Sequence, residues 1–161
     1  MKSIDKSVFI AEGAKVIGNV EIGKSSSIWF NAVIRADSDK IKIGDNSNVQ
    51  DNAVIHTSAG FSVRIGDNVT IGHGAIVHGC TIEDNVMIGM GAIVLNGAVI
   101  GENSIIGAGT LVTQEKIIPA GSLAFGTPVK IVRQLTDEEI QSILDNADSY
   151  VKEAKEYKES T

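Results

Sequence analysis

One cysteine, Cys80, and two prolines stand among 161 residues, and aromatic side chains make up only 4% of the chain. A single cysteine closes no internal disulfide, so the chain holds together by burial, and the expected setting is cytoplasmic or indifferent to redox state. A chain of this length buries roughly 70% of its unfolded surface and needs no staple to fold as one unit. Cations are scarce too: 14 Lys plus Arg against 20 Asp plus Glu leave a net charge of −6. No basic cluster reverses that balance, which excludes nucleic acid as a main partner, since phosphate binding needs a basic face. No apolar run approaches the ~20 residues of a membrane span, and residues 1–13 carry neither an apolar h-region nor a cleavage pattern. Neither a membrane partner nor a secretory leader is therefore expected.

What the chain has is glycine, 17 of them, and a period. Aliphatic residues recur at every sixth position at Ile10, Val16, Ile22, Ile28 and Ile34. The series resumes at Ile43, Val49 and Ile55, at Ile65, Ile71 and Val77, and from Ile82 through Ile88, Val94, Ile100, Ile106, Val112 and Ile118 to Ala124. Four positions after each stands a small or β-branched residue such as Ala32, Ser47, Ala53, Ala75, Thr81 or Ala92, and one position after it often a glycine. Helices would repeat at 3.6 residues and half-buried strands at 2, so a period of six means short strands joined by bends. The aliphatic residue is expected to point inward, the small one to fit a crowded corner, and glycine to tolerate the turn. Three hexads make one triangular coil, and coils stack ~4.8 Å apart like strands of a sheet. The fold class is therefore all-β, a parallel β-helix of roughly nineteen hexads, a little over six coils, over residues 1–135. This signature resembles the left-handed β-helix superfamily from about Val8 to Val132, and the resemblance implies the left-handed sense. Thr136-Asp-Glu-Glu139 then reads as a capping box. Ile140, Ile143, Leu144, Ala147, Val151 and Ala154 follow at helical spacing, predicting one amphipathic helix over 137–158 that lies along the β-helix. Residues 136–161 thus belong to the same structural unit.

The chain has three histidines. A lone histidine is ordinarily a surface or core residue, but these are in register. His56 and His78 each follow the aliphatic residue of hexads one full coil apart, so they stack on one face ~5 Å apart at the backbone, where two imidazoles can share a metal at ~2.0–2.1 Å. His73 lies on a different face, five residues before His78 and on the order of 16 Å away along extended chain. A neighbouring copy can bring it to the other two. Contacts between unlike faces close into a ring, and a triangular prism suggests three members, a homotrimer. Arg35 falls in the His56/His78 column; Asp51 falls in the His73 column with Gln50 beside it. A cation on one face and an anion on the other would fix the register by an Arg–carboxylate pair.

Arg35-Ala-Asp37, Asn48-Val-Gln50-Asp51, His56 and Gly72-His73-Gly-Ala-Ile-Val-His78-Gly79 together resemble the γ-class carbonic anhydrase family, whose members are lyases. The resemblance implies that His56, His73 and His78 bind Zn2+, with Fe2+ or Co2+ as alternatives, between subunits of a trimer, two from one chain and one from the next. It implies that Arg35 and Asp37 hold the interface and assist bicarbonate, and that Gln50 hydrogen-bonds the water on the metal; Asp51 is added as a site candidate from its column under His73. Tyr150, on the helix, is a further candidate for the site, beside an ordinary packing role. The family's Arg-Gly-Asp is Arg-Ala-Asp here, Ser38 stands where studied members carry a glutamate, and residues 57–64 hold no carboxylate. Hydration of carbon dioxide is therefore expected to be weak or moderate. Two other readings are an acyltransferase using an acyl-CoA, in which a single histidine would serve as base, and a metal-stabilised trimer without catalysis. Cys80 is expected to be a small buried filler.

Overall fold

The computed structural model describes residues 2–160; Met1 and Thr161, the outer ends of the two expected ranges, lie outside the described residues. The hexads form a parallel β-helix. One face stacks seven parallel strands: Phe9–Ile10, Ser27–Ile28, Asn48–Val49, Thr70–Ile71, Met87–Ile88, Ile105–Ile106 and Ser122–Phe125. The other two faces form one folded sheet, because the long strands Lys15–Ile22 and Val33–Ile43 run around a corner and pair on both sides of it. The first of these two faces continues with Val54–His56, Ile76–His78, Ile93–Val94 and Leu111–Val112, the second with Val63–Ile65, Thr81–Ile82, Val99–Ile100 and Ile117–Ile118.

The aliphatic ladder fills the interior. Ile28, Ile34, Ile55, Ile71, Ile88, Ile106 and Ile118 are fully buried, each contributing about 1.5–3 kcal/mol of transfer free energy. Ile10 departs from this: it is 41% exposed. No coil lies beneath it among the described residues, so its inward direction opens on solvent. Thr81 is a second departure. The interval from Val77 to Ile82 is one residue short, so Cys80 takes the corner, level with Val63 and Ala98, while Thr81 points outward beside Arg64. Cys80 is buried as expected, and burial pushes its thiol up to about 12.

The glycines one position after each aliphatic residue serve a different purpose from the one expected. Gly89 has an ordinary φ, but a Cβ there would lie 2.5 Å from the backbone nitrogen of Ala108 on the next coil. These glycines permit close stacking of coils. The left-handed turns fall elsewhere, on other glycines such as Gly74, Gly91 and Gly109 and on Asn46, Asn68, Asn85 and Asn103, whose side-chain amides donate one to the next in a continuous ladder up one edge. Asparagine tolerates positive φ better than other non-glycine residues.

A short antiparallel strand, Lys130–Gln134, closes the last coil and leads into helix α1, Asp137–Ser160. Thr136 Oγ1 accepts from the Glu139 amide, and the Glu139 carboxylate accepts from the Thr136 amide, completing the expected capping box. Ile143, Ala147 and Ala154 are buried. The helix crosses the seven-stranded face against Thr70–Ile71, Asn48–Val49, Ser27–Ile28 and Phe9–Ile10, running back toward the first coil. Five aromatic residues secure it: Trp29 meets Phe9 at 5.3 Å, Tyr157 at 5.4 Å and Tyr150 at 5.5 Å between ring centroids, and Phe30 packs beside them.

Candidate metal centre

The register places Arg35, His56 and His78 in one column, on successive coils. The two imidazoles are edge to face, with centroids 5.0 Å apart and His56 Nδ1 3.0 Å from His78 Nε2. Each ring's other nitrogen has a partner. His56 Nε2 lies 2.9 Å from Asp37 Oδ1, and His78 Nδ1 lies 2.6 Å from Asn96 Oδ1. Asp37 also pairs with Arg35. The hydrogen bond from His56, helped by the bond and charge of Arg35, holds the Asp37 carboxyl below its ordinary range.

These partners fix the protons. A carboxylate and an amide oxygen only accept, so each holds an N–H on the nitrogen that faces it. The neutral tautomers that satisfy these partners carry the proton on Nε2 of His56 and on Nδ1 of His78. In those tautomers two lone pairs face one another across 3.0 Å. Such a pair repels unless a cation stands between the two, and ligating histidines commonly give their second nitrogen to a carboxylate or carbonyl in this way. The donor set therefore fits a divalent metal bound by nitrogen.

His73 sits apart, after the Thr70–Ile71 strand of the seven-stranded face, with its side chain 44% exposed. Asp51, one coil below, places Oδ2 2.9 Å from His73 Nδ1. A carboxylate there favours a proton on Nδ1 and frees Nε2. Among the described residues, no three ligand-type side chains converge within the chain.

Gln50 and Tyr150 lie on the His73 side. They line a cavity of about 210 Å³ with His73, Asn146 and the apolar Met87 and Met90. Gln50 is buried and its amide is oriented: Nε2 donates to Asn48 Oδ1 at 3.0 Å, and Asn48 Nδ2 donates to Thr70 Oγ1 at 2.9 Å. Asn146 of the helix donates to the same hydroxyl at 2.8 Å. Gln50 thus turns its oxygen away from this chain of bonds. Burial, reinforced by the charges of Glu153 and Asp51, pushes the Tyr150 phenol up, so it stays protonated. Asn96 escaped the sequence reading, although the register Val77↔Val94 sets it one coil above Gly79 and hence beside His78.

A protein from Methanocaldococcus jannaschii named as a probable carbonic anhydrase is 60% identical over 149 residues, covering 92% of this chain and 94% of its own. The chain belongs to the γ-class carbonic anhydrase family. Gamma carbonic anhydrase 2, a mitochondrial protein of Arabidopsis thaliana, is 45% identical over 92% of this chain, which spans 55% of the plant protein. Two hexapeptide-repeat families also match, the bacterial transferase hexapeptide over residues 79–114 and the hexapeptide repeat of succinyl-transferase over residues 62–95. Among solved structures, a Bacillus cereus protein named as a candidate acetyltransferase superposes with a TM-score of 0.98 at 44% identity, covering 99% of this chain and 93% of its own. Against the γ-class carbonic anhydrase pattern, Ser38 is exposed within the Val33–Ile43 strand, and residues 57–62 form a compact loop closed by a Ser58–Phe61 bridge before the Val63–Ile65 strand begins.

Proposed function

We propose that this protein catalyses the reversible hydration of carbon dioxide to bicarbonate at a metal held by His56 and His78 of one chain and His73 of a second copy, in a homotrimer. The observation that carries the reading is the facing pair of ring nitrogens, His56 Nδ1 and His78 Nε2, 3.0 Å apart, each ring anchored through its other nitrogen by Asp37 or Asn96. Zn2+ suits the nitrogen donors, with Fe2+ or Co2+ as alternatives. When bound, such a metal lowers the pKa of a coordinated water toward ~7 and so supplies the nucleophile that carbon dioxide needs.

The chain's own groups do the rest. Gln50 presents an acceptor oxygen to the cavity, so it orients an O–H and favours a species that donates to it. Met87 and Met90 give the same cavity an apolar wall that receives an uncharged substrate. Arg35, held by Asp37 in the histidine column, places a cation where a bicarbonate anion forms. With no carboxylate on residues 57–64, proton export falls to Asp37 and Asp51, each 2.9 Å from a histidine and each about a third or more exposed. Both are already committed to imidazoles, which is the physical reason to expect modest turnover.

An acyltransferase reading draws on the name of the Bacillus cereus structure. It needs one histidine as base and gives no reason for two imidazoles to share a column with opposed lone pairs. Metal analysis of protein purified without added zinc separates the two: about one metal per subunit supports the carbonic anhydrase reading, and a metal-free native trimer overturns it. Metallated protein should then hydrate carbon dioxide faster as pH rises from about 6 to 9. A fully metallated protein with no hydration above buffer would leave a structural metal as the better account.

A further inference from the structure

We infer that Asn96 is the positioning residue that makes His78 a metal donor, and that Gly79 and Phe61 hold Asn96 in place; the inference rests on the three-histidine reading above. Neutral imidazole has two tautomers, and only the one protonated on Nδ1 leaves Nε2 free for a cation. Asn96 Oδ1, 2.6 Å from His78 Nδ1, selects it. Without that oxygen, the better arrangement reverses. The proton moves to Nε2, which then donates to His56 Nδ1 across the same 3.0 Å, closing the pair as an ordinary hydrogen bond and shutting out the metal.

The corner is built for this contact. The Gly79 amide donates to the His56 carbonyl and the Gly97 amide to the Gly79 carbonyl, so three coils are stitched at the turn that carries the histidines. Gly79 has φ +56, and a Cβ there would stand 2.4 Å from Asn96 Oδ1 and 2.8 Å from Phe61 Cβ. The bare glycine is what lets the amide reach down to the ring. Phe61 is delivered by the loop after His56. Its backbone bonds to Ser58 in both directions, at 2.8 and 3.3 Å, and its ring also lies 3.5 Å from the Cβ position of Gly97. It packs against the two glycines on either side of this turn, next to Asn96. This gives the carboxylate-free loop a purpose: it covers the corner with an apolar ring.

The test uses the full-length chain, zinc alone as the probe, and nitrogen–proton correlation of the imidazoles in metal-free protein at about pH 8, above the ordinary histidine pKa of ~6.5. Wild type should show His78 protonated on Nδ1. Asn96→Leu should move the proton to Nε2 and weaken zinc binding by about 10- to 100-fold. Asn96→Ala, which adds no bulk, should do the same, and it carries the test if the leucine variant does not fold. Asn96→Asp keeps an acceptor and should keep both the tautomer and the affinity. Phe61→Ala should weaken zinc binding in the same direction by less. Leucine and alanine variants that retain the Nδ1 proton, or bind zinc as wild type does, overturn the assignment. A wild type with the Nδ1 proton that binds no zinc would instead overturn the metal reading, and with it the role of Asn96 toward a metal, leaving only its selection of the His78 tautomer.

Discussion

Ile88 and Gly89 are neighbours that resist change for opposite reasons. Ile88 is fully buried, so Ile88→Ala should leave a cavity and cost about 2–5 kcal/mol. Gly89→Ala adds a single methyl, but within 2.5 Å of the next coil's backbone, and should cost about 1–3 kcal/mol by forcing coils apart. Denaturant unfolding checks both, as a lowered midpoint with little change in slope. At this scale the period made much of the site legible. It assigned Arg35, His56 and His78 to one column, and Asp51 beneath His73, because a strict repeat turns sequence separation into spatial position. It misplaced Thr81, inside the five-residue interval from Val77 to Ile82 where counting by six slips, and passed over Asn96, whose register was available but whose amide is no metal ligand in itself. Phe61 was invisible for another reason: its position comes from an inserted loop that obeys no period.

Helix α1 depends on its first turn. Arg133 reaches from the antiparallel strand to the Glu139 carboxylate, at 2.7 and 2.8 Å, while the Thr136 amide donates to the same group. The bond from Arg133 first, then that from Thr136, lowers the Glu139 carboxyl to about 2 from an ordinary 4.5. Because the folded value is the lower one, this contribution is complete above about 4.5 and fades as pH falls toward 2. Helix signal followed by circular dichroism should therefore decline in that window. Glu139→Gln should make the helix less dependent on pH there and weaker at neutrality. Thr136→Ala should cost about 1 kcal/mol at neutral pH. The capping box and the helix range could be read from residues 136–158, where local chemistry suffices. The role of Arg133 could not, because the turn that reverses Lys130–Gln134 breaks the repeat and pairs the strand antiparallel.

For the whole molecule, the proposed ring of subunits makes a quantitative demand. His73→Ala and His78→Ala should each abolish metal binding in their own trimers. Unfolded together in equal amounts and refolded, the two should recover roughly a quarter of wild-type metal, because one junction in four then joins an intact His56/His78 pair to an intact His73. Recovery near zero, with mixed trimers confirmed by mass, would rule out a site shared between chains. The second consequence concerns the course of α1. Stacked repeats touch only their neighbours, so a β-helix alone can lose coils one at a time from either end. Here the helix leaves the last coil and returns to the first, where Tyr157 meets Phe9 at 5.7 Å and Lys158 Nζ donates to the Lys6 carbonyl at 2.8 Å. The polypeptide thereby becomes a loop fastened by its own tail. Partial unravelling at the first coil must also release the tail, and release of the tail uncovers Trp29, so the open-ended stack acquires the all-or-none cooperativity of a closed one. Deleting residues 137–160 should show this directly, as amide exchange that speeds up at the first coils while the upper ones stay protected.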